Sequence, residues 1–353
     1  MPEMTKRLLL ALALGGLWAG PIAAQEADST GPKRPHRLFR DNRILELTIV
    51  TDLKQLFKDR DTTKEERIPA KLWYNAPEGE SDSMAVELAT RGHSRLKKGT
   101  CDFPPIRIYL PVKEARPKLF TGQGSLKLGV TCKPNRDDYH QYVLQEYVIY
   151  PIYNLFTDLS FRARLVRTTY IQEGSTDTVS VSPGFFLEDV DDMAARNGGE
   201  VFEQQGVRFG DVDEQTLALV GVFNYMIGNT DWALQVLHNI RVLKIPPGLY
   251  SPVPYDFDFS GIIKTPYAAP SPQLPIRDVR ERLYRGACFE MTVFQPVLEQ
   301  FRQKKDAIYA MYRNLEGLDP RKLAETTKYL DDFYKTIDNP KKVESEFRYI
   351  CSG

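Results

Sequence analysis

Residues 221–261, GVFNYMIGNTDWALQVLHNIRVLKIPPGLYSPVPYDFDFSG, decide how the rest of the chain is read. The stretch opens as an apolar helix, GVFNYMIG, and reaches a polar knot at Asn229, Thr230 and Asp231. An apolar run carrying His238 and Asn239 leads into the strand-like IRVLKI. A PPGLY turn then starts a second apolar run, which closes on Tyr255-Asp256-Phe257-Asp258-Phe259-Ser260-Gly261. Polar groups therefore stand at the ends of short apolar segments, where a scaffold presents them to a ligand. Carboxylates flanked by Tyr and Phe are costly in such a place unless paired or bound to a cation. The expectation is a divalent-metal phosphate site.

Upstream of this stretch, the chain alternates like β structure. ILELTIVTDL (44–53), IPAKLWYN (68–75), MAVELATRG (84–92), IRIYLPV (106–112) and SLKLGVT (125–131) each read as a strand. From Tyr139 the spacing becomes helical in YHQYVLQEYVIYPIYNLFTDL, with a kink or restart expected at Pro151. FRARLVRTTYIQ (161–172) and DTVSVSPGFFLED (177–189) form a β pair around Gly174-Ser175, and VDDMAARNGG is a short helix closed by glycines. Beyond Asp213 the pattern is mostly helical apart from the two runs in the organising stretch. TPYAAPSPQLP (265–275) is a Pro-rich loop, and three or four helices fill the part from Val279 to Tyr349.

The 47 basic and 47 acidic residues cancel, which argues against broad nucleic-acid binding. Lys6-Arg7, the apolar LLLALALGGLWAG and the small residues before Gln25 have the pattern of a secretory signal peptide over residues 1–24. Residues 25–40 read as a polar, flexible leader. The mature chain is then expected outside the cytoplasm, with no membrane span. Four cysteines, Cys101, Cys132, Cys288 and Cys351, allow two disulfides in three connectivities; buried thiols are the alternative. Cys101–Cys132 is favoured, because one opens a strand-like run and the other closes one.

Phosphoryl transfer needs metal-bound phosphates, a cation on those phosphates and a carboxylate near the attacking hydroxyl. Asp256 and Asp258 are the candidate metal ligands, since residues two apart at a strand end share a face and hard cations take carboxylate oxygen. Asn239 is a third candidate ligand, against a solvated loop residue. Asp231 is placed to orient or deprotonate the acceptor, against a helix N-cap. Lys127 is a candidate phosphate contact, with Glu146 on the following helix holding it, and Arg91-Gly92 would bring a guanidinium to a phosphate. His238, alone among apolar residues, reads as structural.

These motifs, in this order, resemble the CotH-type spore-coat kinase family. Arg91-Gly92 resembles its Arg-Gly motif; SLKLGVT, LQEYVIYPIYNLFTDL and RARLVRTTYI resemble its strand–helix–strand core. FFLEDVDDMAARNG, with Glu188, Asp189, Asp191 and Asp192, looks like the strand and acidic helix that follow. NTDWALQVLHNIRVL and VPYDFDFSG look like its catalytic and metal motifs, so that the likeness covers roughly residues 84–262. Two departures stand out: seven residues separate Asp231 from Asn239, where ordinary protein kinases have four, and Tyr255 replaces a more usual tryptophan. The resemblance implies an α+β, two-lobed protein-kinase-like fold, with a β-rich N-lobe and pivotal helix over residues 41–190 and a mainly helical C-lobe over 191–353. It also implies ATP with Mg²⁺ or Mn²⁺ as cofactors, Asp231 as the catalytic residue, Asp256 as the metal ligand and Lys127–Glu146 as the ion pair. The phosphoacceptor would be a protein or small-molecule hydroxyl. The alternatives are a non-catalytic exported binding protein on the same scaffold and, below both, a metal-dependent hydrolase.

Overall fold

The computed structural model describes residues 33–58, 66–92, 94–97, 99–111, 117–246 and 248–348. The expected signal peptide and residues 25–32 of the leader lie outside these. The remainder of the leader is packed: Leu38 and Phe39 are buried in the first core, and Arg37 pairs with Glu80 at 2.7 Å.

The expected strands all form. They are β1 (Leu45–Thr51), β2 (Ile68–Asn75), β3 (Ser81–Thr90), β4 (Ile106–Tyr109), β5 (Ser125–Val130), β6 (Ala163–Gln172) and β7 (Thr178–Leu187), with α1 (Leu53–Lys58) after the first. Their arrangement overturns the expected fold class. The seven strands close into a mixed barrel in the order β1-β2-β3-β4-β5-β7-β6, so the chain lacks the kinase-like pairing of an open β-rich lobe with a helical one. Closure comes from β1, which pairs antiparallel with β2 on one side and parallel with β6 on the other, from Leu45↔Val166 to Thr51↔Gln172. A closed sheet has no exposed edge, and β6 is long enough to cover the whole of β1.

Alternation along β6 and β7 builds two cores at once. Val166, Tyr170 and Phe186 face the barrel interior with Leu47, Ile49, Leu88 and Leu126. Ala163, Leu165, Phe185 and Leu187 face the other way, into a second core around α2 (Asp137–Asn154). A strand buried on both faces reads as a near-continuous apolar run, as FFL does here. The α2 helix is buried nearly all round, from Tyr139 to Tyr153. It runs unbroken through Pro151, three residues from the helix end.

The second half adds a short strand to the two runs expected in the organising stretch. After α3 (Val190–Arg196), β8 (Glu200–Phe202) joins β9 (Ile240–Ile245) and β10 (Leu249–Pro254) in a three-stranded sheet ordered β10-β9-β8. Helices α4 (Glu214–Ile227), α5 (Met291–Arg313), α6 (Pro320–Ile337) and α7 (Pro340–Phe347) complete the second core. Asp213, Asp319 and Asn339 cap α4, α6 and α7 through their side chains.

Cys101 and Cys132 are disulfide-bonded, joining the approach to β4 with the end of β5, and Cys288 is disulfide-bonded as well. The backbone amides of Asp102 and Phe103 donate to the Cys132 carbonyl at 3.0 and 3.1 Å. The Cys101–Cys132 bridge closes a loop of 31 residues, for which chain entropy predicts about 3–4 kcal/mol. Replacing both cysteines by serine is expected to lower the unfolding free energy by that amount, read from equilibrium denaturant unfolding. Among the described residues, no helix is long and apolar enough to cross a membrane.

Candidate functional site

The organising stretch brings its two ends together. Helix α4 stops at Gly228, whose φ of 67° is left-handed and whose Cα has no room for a side chain beside the Tyr329 hydroxyl. Past this turn the chain is stitched to the loop after β10: Gly261 N donates to Gly228 O and Ile262 N to Ile227 O, both at 3.0 Å. Asp231 is thereby held beside Asp256 and Asp258. Asn229, anchored on Asn224, accepts the Asp231 amide at 3.0 Å. The residues between Asp231 and Asn239 form a tight hairpin closed by Ala233 and His238, which exchange backbone bonds of 2.9 and 3.0 Å. That hairpin absorbs the long spacing and returns His238 and Asn239 to Asp231. His238 Nε2 lies 2.8 Å from Asp231 Oδ1, and Asn239 Nδ2 donates to the Asp231 carbonyl and to Oδ2 at 2.8 and 3.1 Å.

These residues open onto a cleft of about 600 Å³ between the barrel wall and the second half. Arg91, Arg107, Lys127 and Arg241 line the cleft, and none of them makes an ion pair among the described residues. Arg107 and Lys127 stand opposite each other on β4 and β5, so strand register sets their spacing. Burial works against the charge of Arg91, and Asp256 works for it. Like-charged groups brought together without counter-ions are costly, and an anionic ligand relieves that cost.

The acidic side is organised by a residue that sequence reasoning missed. Arg95 donates to Asp258 Oδ2 from Nε and Nη2 at 3.1 and 2.8 Å, and its Nη2 reaches Glu146 Oε2 at 3.3 Å. Tyr267 donates its hydroxyl to the same Asp258 oxygen at 3.1 Å. Glu146 therefore pairs with Arg95, and Lys127 is left unpaired. Burial pushes the Glu146 carboxyl up, Arg95 pulls it back, and Asp258 and Asp256 push it up again. Asp256 has no side-chain partner among the described residues; only its amide is engaged, donating to the Tyr150 hydroxyl at 3.1 Å. Burial and then Asp258 hold its carboxyl above the usual range, against Arg95 and Arg91.

Backbone strain concentrates in the same place. Leu237, Asn239 and Asp256 have φ of 54°, 51° and 61°, and all three line the cleft; Lys264 is the other described non-glycine with positive φ. Such conformations persist where the surroundings over-determine them, and they cluster at ligand sites.

No family model and no curated protein matches this chain. The site is read from its own geometry. The fold brings all seven expected residues, Arg91, Lys127, Glu146, Asp231, Asn239, Asp256 and Asp258, to one cleft. It adds Arg95, Arg107, His238 and Arg241. His238 is half exposed and bonded to Asp231 rather than packed in a core.

A divalent cation fits this donor set. Mg²⁺ is usually held by one or two carboxylates together with substrate phosphates, rather than by a cage of protein ligands. Asp256, whose carboxylate lacks a partner among the described residues, and the Asp258 oxygen not bonded to Arg95 and Tyr267 would supply the hard oxygens; no group of three or more His, Cys, Asp or Glu forms a ready cage among the described residues.

Lys127 yields a test of the cationic wall. Burial, then Arg91, lowers its pKa from 10.5 to about 8. Below pH 8 the lysine is charged in both states, and the full cost of burying the charge falls on the folded protein. Between pH 8 and 10.5 the folded state sheds the proton first, so stability rises with pH and the cost fades. Lys127→Met is expected to stabilise the protein at neutral pH by no more than about 3 kcal/mol, at about 1.4 kcal/mol per pKa unit. Chemical denaturation at pH 7 and again above pH 10.5 checks that the gain disappears at the higher value.

Proposed function

We propose that the chain is a metal-dependent phosphotransferase that moves the terminal phosphoryl group of ATP to a hydroxyl of a protein or small molecule. One observation carries the reading: Arg91, Arg107, Lys127 and Arg241, none with an ion-pair partner among the described residues, share a single cleft with Asp231, Asp256 and Asp258. Arg91 and Lys127, with Arg107 and Arg241, would bind phosphate oxygens. Asp256 and Asp258 would hold Mg²⁺ or Mn²⁺, with the Asn239 side chain beside them. The cation, when bound, supplies charge stabilisation for the transferring group.

Asp231 would accept the proton of the attacking hydroxyl, in a site half open to an incoming acceptor. His238 and Asn239 hold its two carboxylate oxygens in a fixed orientation. Phosphoryl transfer asks the protein mainly for positioning and electrostatics, which this cleft is built to supply. The same proposal places the mature chain outside the cytoplasm, and the Cys101–Cys132 bridge supports an oxidising compartment.

A second reading, a non-catalytic binding protein, draws on Arg95. Its guanidinium already occupies one of the two Asp258 oxygens and leaves a cation only the other. Metal-dependent binding of ATP, lost in Asp256→Ala, tests the site. Transfer of phosphate to any hydroxyl then separates the two readings.

A further inference from the structure

A second, smaller pocket of about 170 Å³ meets the main cleft at Asp231, His238 and Phe259, which line both. We propose that this pocket is the acceptor site and that it takes a compact, uncharged polyol of monosaccharide size. The assignment rests on the phosphotransfer reading of the cleft, and it names the acceptor that the reading leaves open.

Size is the first argument. The volume falls well below the roughly 300–1,000 Å³ of sites for drug-sized ligands, which favours a single small ring over an extended chain. Its outer wall is the Pro-rich loop 265–275, through Ala269, Ser271, Gln273 and Leu274. Prolines at 266, 270, 272 and 275 restrict that wall to few backbone conformations.

Charge is the second argument. Arg285 lines the pocket, and its Nη1 donates to the carbonyls of Thr230 and Trp232. The pocket's one carboxylate is Asp231, whose task is the hydroxyl proton. The formal charges of Arg285 and Asp231 offset, so the lining presents no net charge to an ionic ligand.

The third argument is hydrogen bonding. Ser271, Gln273 and His238 offer groups that can both donate and accept, as an array of hydroxyls requires. Trp232 also lines the pocket; it is 2% exposed, and its indole N–H has no partner among the described residues. Val236, 53% exposed at the rim, and Leu274 offer apolar surface to the C–H face of a ring.

In the reaction, the bond between the terminal phosphorus of ATP and its bridging oxygen breaks. ADP leaves with that electron pair, a polyol oxygen bonds to the phosphorus, and the hydroxyl proton passes to Asp231.

The test is saturation-transfer NMR on the whole protein with a panel of neutral pentoses, hexoses and cyclitols, alongside serine peptides. It is repeated on Ala269→Trp, which fills the pocket from an exposed loop position. The expected result is a polyol signal from the wild type that is lost in the variant. With ATP and Mg²⁺ added, ³¹P NMR should show that polyol phosphorylated. The proposal is overturned if no polyol binds, if Ala269→Trp keeps the signal, or if only the peptides bind and are phosphorylated. Polyol binding is measured without nucleotide. A protein that binds the polyol but not ATP with Mg²⁺ therefore overturns the phosphotransfer reading, and with it the acceptor role.

Discussion

Asp231→Asn is expected to lower the rate of phosphoryl transfer by about 10²–10⁴-fold, the range for loss of a positioned proton acceptor. The change keeps the shape of the side chain and its place beside His238 and Asn239, so the hairpin and the cleft should survive. Asp231 lies on the acceptor side of the site, so the loss should appear in kcat with the KM for ATP little changed. Steady-state kinetics at saturating ATP make the measurement. An Asn variant within a few-fold of wild type would remove Asp231 from the chemistry and leave it as a hairpin residue.

The largest expected effect on stability lies away from the cleft, at Glu188. This carboxylate is fully buried and meets Arg196 through a bidentate pair, Nε to Oε1 at 3.1 Å and Nη2 to Oε2 at 3.0 Å. Arg196 further donates to the carbonyls of Asp158 and Ser160 at 3.0 and 2.9 Å, and the amide of Arg162 reaches Glu188 Oε2 at 3.0 Å. The group ties the end of β7 and α3 to the chain between α2 and β6. Removing one partner of such a pair strands the other charge in the interior, at about 3–5 kcal/mol. Glu188→Ala should therefore unfold at a markedly lower denaturant concentration than the wild type. A double variant, Glu188→Leu with Arg196→Met, should recover part of the loss, because it leaves no orphaned charge.

The strands were legible because their residues alternate, and so was α2, whose apolar positions fall on helical spacing. The partners of those strands were not legible. Nothing in ILELTIVTDL marks it to pair with a strand more than a hundred residues later, and that parallel pairing closes the expected β-rich lobe into a barrel. Local periodicity fixes which face of a strand is buried and is silent about its neighbours.

The site shows the same division. Asp231, Asp256 and Asp258 stood out because carboxylates punctuate apolar runs in GNTDW and YDFDFSG. Arg95 did not, since no pattern along the chain places a guanidinium beside a carboxylate 163 residues away. Its arrival explains why Glu146 is not the partner of Lys127. In sequence His238 reads as structural, since it stands alone among apolar residues. In the fold Val236 and Leu237 form a hairpin tip with Val236 exposed, and the histidine is free to turn to Asp231. The strained backbone at Asn239 and Asp256 is likewise invisible in sequence, since neither residue type demands a left-handed conformation.

The central claim is that this cleft binds a nucleotide through a divalent cation held at Asp256. The most direct measurement is thermal unfolding of the protein, alone, with ATP, and with ATP plus Mg²⁺ or Mn²⁺, repeated on Asp256→Ala. A ligand that binds only the folded state at a hundredfold over its Kd adds about 2.7 kcal/mol, enough to raise the midpoint visibly. The account predicts a rise that needs both ATP and the cation and is absent from the variant. An unchanged midpoint in the wild type, or an equal rise in Asp256→Ala, would contradict it.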